Sequence, residues 1–195
     1  MAKTYSTMRE LGSQMPSFSL IEPLSGKIIK DSDFKNRQLL LVMFICNHCP
    51  YVVHIAHGLT LFAHDHEKES VGIVAINSND VERYPEDSPE LMVREVKKRN
   101  YIFPYLYDES QKTASAFGAS CTPDFFLFNE KRELVYRGQF DASRPGNNIP
   151  VTGESLRNVV SLLLNNQRPP VDQIPSMGCN IKWKAGNEPV YYTAV

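Results

Sequence analysis

The stretch FICNHCPYVVH, from Phe44 to His54, decides the fold of this 195-residue chain. Two cysteines, Cys46 and Cys49, stand three positions apart, directly after an apolar run and directly before a segment with helical spacing. The run itself, residues 38–45, has the sequence QLLLVMFI, which predicts a strand buried on both faces. The two sulfurs are therefore expected where a buried strand ends and a helix begins.

The expected position of the cysteine pair favours a reactive thiolate. A helix N-terminus presents unpaired backbone N–H groups and the positive end of the helix dipole, and both stabilise an anion. Cysteines of Cys-X-X-Cys pairs at such positions have pKa values of about 3.5–7.5, against about 8.5 for a free cysteine. We therefore expect a lowered pKa for Cys46, which is predicted to be the more exposed sulfur and the attacking one. Cys49, one helical turn on, is predicted to resolve the mixed disulfide.

A zinc site and an inert pair are the alternatives for these two cysteines. Structural zinc takes four ligands, usually from two CxxC-type pairs, but the remaining cysteines, Cys121 and Cys179, stand singly. The predicted site therefore has no metal and no cofactor, with Cys121 and Cys179 as candidate accessory redox residues. His54, His57 and His64 share one helical face, and a solvated face is the simpler interpretation of them.

The rest of the chain alternates strands and helices. Predicted strands span residues 18–21, 27–30, 38–45, 71–77, 125–129 and 133–138, and predicted helices span about 50–67, 89–99, 111–117 and 156–164. This order predicts an α/β fold with a central mixed β-sheet flanked by helices, an N-terminal β-hairpin and a C-terminal extension.

The chain is predicted to form one domain with an appendage at each end. We expect a loose N-terminal arm over residues 1–15, the domain over residues 16–166 and an extension over residues 167–195. The extension shows no strand or helix period, yet it carries Trp183 and several other apolar side chains. Because disordered tails are usually poor in aromatic residues, we expect the extension to pack on the domain.

Composition narrows the classes of function. The chain has 21 basic and 22 acidic residues, for a net charge of −1, and no basic patch of the kind that binds nucleic acid. It has no apolar run of the roughly 20 residues that a membrane helix needs, and no signal peptide is predicted from its first residues. We therefore expect a cytoplasmic protein with neither nucleic acid nor membrane as a partner.

A second motif specifies the family. The stretch GASCTPDFFLFN, residues 118–129, places Thr122 and Pro123 immediately before a predicted strand. Together with the CxxC pair, the FSL strand and SGK turn, the SDF stretch and the VAIN strand, it resembles the thioredoxin superfamily over about residues 15–140. The resemblance is to the redoxin branch with AhpC/TSA-like members, and the whole chain looks like its peroxiredoxin-like subgroup. It implies a thioredoxin-like fold in which Pro123 is cis and faces the CxxC pair.

The resemblance also implies supporting roles for the residues between and beside the cysteines. His48 takes the position that is His in oxidising DsbA and disulfide-isomerase motifs, where it stabilises the thiolate; an exposed histidine without a role is the alternative. Asn47 completes the motif. Pro50 removes a backbone donor in the first helical turn, where that loss costs least.

The family's peroxidases carry the motif Pro-x-x-x-Thr-x-x-Cys, in which the cysteine aligns with Cys49. The threonine position then holds Cys46 and the proline position holds Val42, so the hydroxyl that positions the peroxide is missing. We therefore predict a thiol–disulfide oxidoreductase with a role in antioxidant defence or redox homeostasis. Its expected substrates are protein or small-molecule disulfides, and a thiol reductant is expected to return it to the dithiol form. The alternatives are a peroxiredoxin-like thiol peroxidase and a non-enzymatic redox sensor.

Overall fold

The structure is a computed structural model that describes residues 3–192. Its strands are β1 (Lys3–Tyr5), β2 (Ser19–Glu22), β3 (Lys27–Lys30), β4 (Leu39–Phe44), β5 (Val71–Asn77), β6 (Tyr105–Tyr107), β7 (Cys121–Thr122), β8 (Asp124–Phe128), β9 (Leu134–Arg137) and β10 (Met177–Asn180). Its helices are α1 (Pro50–Asp65), α2 (Pro89–Arg99), α3 (Lys112–Phe117) and α4 (Glu154–Leu164), with short 3-10 turns at Asp31–Phe34 and Pro85–Asp87.

A seven-stranded mixed sheet in the order β3-β2-β6-β5-β4-β8-β9 forms the centre of the molecule. β4 pairs in parallel with β5 and antiparallel with β8, and all its residues are buried. Leu41 and Met43 point into the core on one face, whereas Leu40, Val42 and Phe44 point into the core on the other. A strand covered on both faces has no polar side, which explains the unbroken apolar run and confirms the predicted α/β fold.

The helices begin and end as local chemistry dictates. α1 begins at Pro50, where a residue without a backbone N–H loses no helical hydrogen bond. Ser88 caps α2 by accepting a hydrogen bond from the Leu91 amide, and Pro89 is its first residue. Gly118 ends α3 in the left-handed conformation, with φ of 72°. Among the described residues, no helix is both long enough and apolar enough to cross a membrane.

The two ends of the chain differ from expectation. The prediction of a loose N-terminal arm is wrong for residues 3–5, because β1 pairs antiparallel with β10. The extension, for which no strand was predicted, supplies β10, which also pairs with β7 and so completes a second sheet in the order β1-β10-β7. Beyond β10, Ile181 and Trp183 are buried in the domain core, so the described part of the extension lies on the domain.

Candidate active site

Cys46 and Cys49 lie at the carboxyl end of β4. Cys49 is the residue directly before α1, with φ of −64° and ψ of 122°, and Pro50 is the first helical residue. Both cysteines are buried, Cys46 at 2% exposed and Cys49 at 0% exposed, so the predicted difference in exposure between the two sulfurs is small. No disulfide bond joins any of the four cysteines, all of which lie within the described residues.

The Thr122–Pro123 turn covers the two sulfurs, and the peptide bond between its residues is cis. The Cys46 Sγ atom lies 3.4 Å from the Thr122 hydroxyl oxygen. In its thiol form Cys49 donates a hydrogen bond to the Thr122 carbonyl oxygen, with Sγ and O separated by 3.0 Å. A single residue of the turn thus contacts both cysteines, one through its side chain and the other through its backbone.

A third cysteine from the extension reaches the same place. Cys179 lies opposite Thr122 in the pairing of β10 with β7, and its interaction with Cys49 lowers the pKa of that cysteine. Gly178 allows this close approach, since a Cβ atom there would lie only 2.0 Å from the Thr122 carbonyl oxygen. Cys121 is also buried, but its Sγ atom contacts the Pro123 carbonyl oxygen at 3.5 Å.

His48 is held by a carboxylate that the sequence analysis missed. Its Nδ1 atom lies 2.7 Å from Oδ2 of Asp87, a fully buried residue at the end of the loop after β5. The carboxylate also accepts hydrogen bonds from the Asn47 amide at 2.8 Å and from Asn79 Nδ2 at 2.7 Å. Asp87 therefore holds in place the two residues between the cysteines. That these residues support the cysteines stays a prediction, and Asp87 is the residue that would position them.

One feature of the sequence points to this loop. The carboxyl ends of neighbouring parallel strands meet at one edge of a sheet, and β5, which neighbours β4, ends in the polar run Asn77-Ser78-Asn79-Asp80. These residues are all buried, which is unusual for polar side chains without a structural or functional role. This polar run indicates that the loop after β5 lies near the cysteine pair, but it does not identify Asp87 within that loop.

The electrostatics of the pair are the reverse of what we predicted. Burial, the hydrogen bond to Cys49 and the negative charge of Asp87 raise the pKa of Cys46 well above its usual value. Hydrogen bonds from Cys179 and then from Cys46 lower the pKa of Cys49. The predicted low pKa of Cys46 is therefore wrong. The physical reason is that burial and the charge of Asp87 disfavour an anion on Cys46, whereas Cys179, from the extension, stabilises one on Cys49.

His48 supplies a positive charge beside the sulfurs. The hydrogen bond to Asp87 outweighs partial burial and raises the pKa of the imidazole. A raised pKa favours the imidazolium near neutral pH. These pKa directions favour a thiolate on Cys49 over one on Cys46, and an imidazolium on His48 that is paired with Asp87.

The same residues are the ones that could hold a metal. Ligand atoms of Cys46, His48 and Asp87 all lie within 4.8 Å of one another. An ion there would have to replace hydrogen bonds that the Asp87 oxygens already accept from Asn47, His48 and Asn79. On the predicted histidine face of α1, His57 is exposed and His54 is half-buried.

Comparisons with known proteins bear on this site. The sequence model of the Redoxin family matches residues 10–155. The crystal structure of an uncharacterized conserved protein from Geobacillus kaustophilus is 49% identical, with a TM-score of 0.92 and coverage of 94% of this chain and 97% of that one. A hypothetical protein from Sinorhizobium meliloti is 47% identical, with a TM-score of 0.92 and coverage of 94% and 100%.

A more distant likeness concerns the fold alone. The thioredoxin domain of a thiol-disulfide oxidoreductase from Bacteroides vulgatus is 15% identical, with a TM-score of 0.60, and the match covers 77% of this chain and 98% of that one. Among proteins with curated descriptions, none matches this chain significantly. The thioredoxin-like fold is confirmed, and the family match supports a redox function.

Proposed function

The chain belongs to the Redoxin family, and on that premise we propose that it is a thiol–disulfide oxidoreductase whose working couple is Cys46 and Cys49. One observation carries the proposal: the two sulfurs lie together at the end of a buried strand, where Thr122 contacts both of them, beside the ion pair of His48 and Asp87. Two adjacent thiols with one easily lost proton are the chemical requirement for dithiol exchange.

The first step is attack by Cys46 on a substrate disulfide. Both cysteines are buried, and we assign the attack to Cys46, the first cysteine of the pair, because Cys49 directly precedes α1 and is placed to displace the substrate in the second step. As the new bond forms between Cys46 Sγ and a substrate sulfur, the Cys46 proton passes to the Cys49 thiolate. The substrate S–S bond breaks, and the departing thiolate is stabilised by the positive charge of His48.

The second step releases the substrate. Cys49 loses its proton to the departing first thiolate or to water, and its thiolate attacks Cys46 Sγ. The bond between Cys46 and the substrate breaks, and the second substrate thiolate leaves. The substrate has then gained two electrons, and the enzyme holds a disulfide between Cys46 and Cys49. A thiol reductant restores the dithiol by the same two exchanges in reverse order.

The test compares two single substitutions with a matched control. Cys49→Ser lacks the thiolate that accepts the Cys46 proton, so attack should be slower, but a mixed disulfide with a protein or small-molecule disulfide should accumulate because nothing displaces the bound substrate. Cys46→Ser should form no such adduct, and Cys121→Ser, which removes another buried thiol, should leave turnover unchanged. Equal residual turnover in the Cys46 and Cys49 variants would contradict the assignment of roles.

A thiol peroxidase is the second candidate function, and the lowered pKa of Cys49 favours it. In that case the Cys49 thiolate attacks a hydroperoxide, releases the alcohol or water and becomes a sulfenic acid, which condenses with the Cys46 thiol to a disulfide and water. Hydroperoxide would then still oxidise Cys49 in Cys46→Ser, to a sulfenic acid or to its condensation product with the neighbouring Cys179 thiol. Consumption of peroxide with a thiol donor, without reduction of disulfides, would replace the first proposal with this one.

The proposal includes the substrates, the reductant and the cellular compartment. Disulfides of proteins or small molecules are the substrates, a cellular thiol is the reductant, and the cytoplasm is the compartment, because a dithiol must be kept reduced to act as a reductase. If both activities are absent and oxidation alters only the binding of a partner, the protein is a redox sensor instead.

A further inference from the structure

We propose that Cys179 is a third redox-active residue of this site, which exchanges the disulfide between Cys46 and Cys49 for one between Cys49 and Cys179. The inference rests on the proposed function, because it takes the oxidised pair as its starting state. It concerns a residue 130 positions after Cys49 in the sequence, in the C-terminal extension.

The backbone places Cys179 at the pair. β10 lies between β1 and β7, so ladder hydrogen bonds hold it on both sides. Cys179 is opposite Thr122, the residue whose carbonyl oxygen is 3.0 Å from Cys49 Sγ. The contact requires glycine next to Cys179, since any side chain at Gly178 would strike the Thr122 backbone.

The chain beyond β10 fixes this placement from the other side of the site. The Lys182 amide donates to Asn79 Oδ1 at 2.8 Å, and the Asp80 amide donates to the Lys182 carbonyl oxygen at 2.8 Å. Asn79 also donates to the carboxylate of Asp87, which holds His48. The segment that carries Cys179 is thus tied to both the Thr122 turn and the loop of Asp87.

The side chains complete the arrangement. The Cys179 thiol interacts with the Cys49 sulfur, and both residues are at most 2% exposed. Two neighbouring buried sulfurs need only a short further approach to form a covalent bond, whereas a thiol in solution must first reach a buried site. Cys179 is therefore the thiol that a disulfide between Cys46 and Cys49 meets first.

The exchange is balanced within the protein. The interaction with the Cys49 thiolate that raises the pKa of Cys179 is absent from the oxidised pair. Cys179 loses its proton to water, and its thiolate attacks Cys49 Sγ. The bond between Cys46 and Cys49 breaks as the bond between Cys49 and Cys179 forms, and Cys46 leaves as a thiolate that takes up a proton. No electrons enter or leave, one disulfide replaces another, and Cys46 regains a reduced sulfur for a further attack.

The decisive experiment removes the competing partner. Cys46→Ser is oxidised with diamide, which accepts two electrons and two protons from a pair of thiols, and is then digested and mapped by mass spectrometry. The substitution is needed because Cys46 and Cys49 share one tryptic peptide, between Arg37 and Lys68. We expect the cross-link between Cys49 and Cys179 to exceed that between Cys49 and the equally buried Cys121 by at least tenfold.

Two results would overturn the inference. One is that, after oxidation of Cys46→Ser, Cys179 can still be fully alkylated while Cys49 has formed a bond with another partner. The other is an equal yield of the cross-link in Cys46→Ser carrying Gly178→Ala, whose added methyl group should push β10 away from Thr122. If the double variant fails to fold, the single variant still decides the question.

The failure of this inference is separable from the failure of the proposed function. Wild type and Cys179→Ser are compared in the same disulfide-reduction assay, and their partly oxidised forms are mapped. If both proteins turn over and the Cys46–Cys49 bond is the sole disulfide of wild type, the redox role of Cys179 is refuted and the proposed oxidoreductase activity stands. If wild type forms the cross-link between Cys49 and Cys179 but neither protein turns over, the redox role of Cys179 is supported and the proposed oxidoreductase activity is refuted. We expect two disulfide isomers in wild type and one in Cys179→Ser.

Discussion

Asp124, the residue after Pro123, should make the stability of this protein fall as pH rises. Its carboxyl group is 0% exposed, one oxygen accepts a hydrogen bond from the Ser120 amide at 3.3 Å, and the other has no hydrogen-bond partner. Burial penalises the ionised form, outweighs the hydrogen bonds that favour it and raises the pKa to about 7. In an unfolded chain the same carboxyl group titrates near 3.9.

The size of the effect follows from the difference in pKa. Three pKa units correspond to about 4 kcal/mol of folding free energy, at about 1.4 kcal/mol per unit. Because the pKa is higher in the folded state, this contribution is fully present below about pH 4, declines as pH rises and is lost above about pH 7. Ionisation of Asp124 thus opposes folding at neutral and alkaline pH.

The assay is urea unfolding of wild type and Asp124→Asn at several pH values under reducing conditions. The neutral amide keeps the shape of the side chain and cannot ionise, so the difference in unfolding free energy should shift by about 4 kcal/mol in favour of the variant between pH 4 and pH 8. If the amide packs better or worse than the carboxyl group, the difference in unfolding free energy changes by the same amount at every pH, and its dependence on pH is unaffected.

Asp141→Asn is the matched control. Burial pushes the pKa of Asp141 up, but hydrogen bonds from Ser143, Gly153 and Thr152 outweigh it and the net pKa is lowered. Its titration therefore lies below about pH 4, and its effect on stability should be constant across the assayed range. A difference between wild type and Asp124→Asn that is also independent of pH would refute the reasoning.

Three further predictions concern the site and the extension. Asp87→Asn should lower the pKa of His48, measured by the NMR titration of its ring protons, because the carboxylate that raises that pKa is gone; Asp80→Asn, which removes a buried carboxylate of the same loop, should leave it unchanged. Cys179→Ala should raise the pKa of Cys49, followed by thiolate absorbance against pH, since it deletes the largest hydrogen-bond contribution to the thiolate; an unchanged titration would show that this hydrogen bond does not form. Trp183→Ala should cost about 3–5 kcal/mol, as large-to-small changes in cores do, and should speed proteolysis after Lys182 or Lys184, whereas Val171→Ala, at a 77% exposed position of the same extension, should do neither.

The elements that could be predicted from the sequence are those with a long, regular pattern. β4 and β5 are unbroken apolar runs, and α2 has a serine cap, a first-turn proline and a basic last turn. The missed strands, β1, β6, β7 and β10, have two to four residues each and are too short to show alternation. Their pairing partners are distant in sequence, and nothing local to Lys3–Tyr5 indicates that it pairs with Met177–Asn180.

The site was predictable in its chemistry but not in its electrostatics. The CxxC and Thr-Pro motifs identified the two cysteines and the turn that contacts them. The distribution of the proton between Cys46 and Cys49 depends on neighbours that only the fold supplies, namely Cys179 from the extension and Asp87 from a loop 40 residues on. Spacing alone places a helix N-terminus near both sulfurs and cannot say which of them it favours.

The position of β10 inside a three-stranded sheet makes access to the sulfurs a question of local unfolding. A strand at the edge of a sheet can peel away from one neighbour, but β10 must break its ladder with β1 as well as with β7 to uncover Thr122. Each 1.4 kcal/mol needed for that opening lowers the open fraction tenfold. A large substrate would then react at the intrinsic rate multiplied by this fraction, so hydrogen exchange of the β10 amides and the reactivity of Cys46 should rise and fall together.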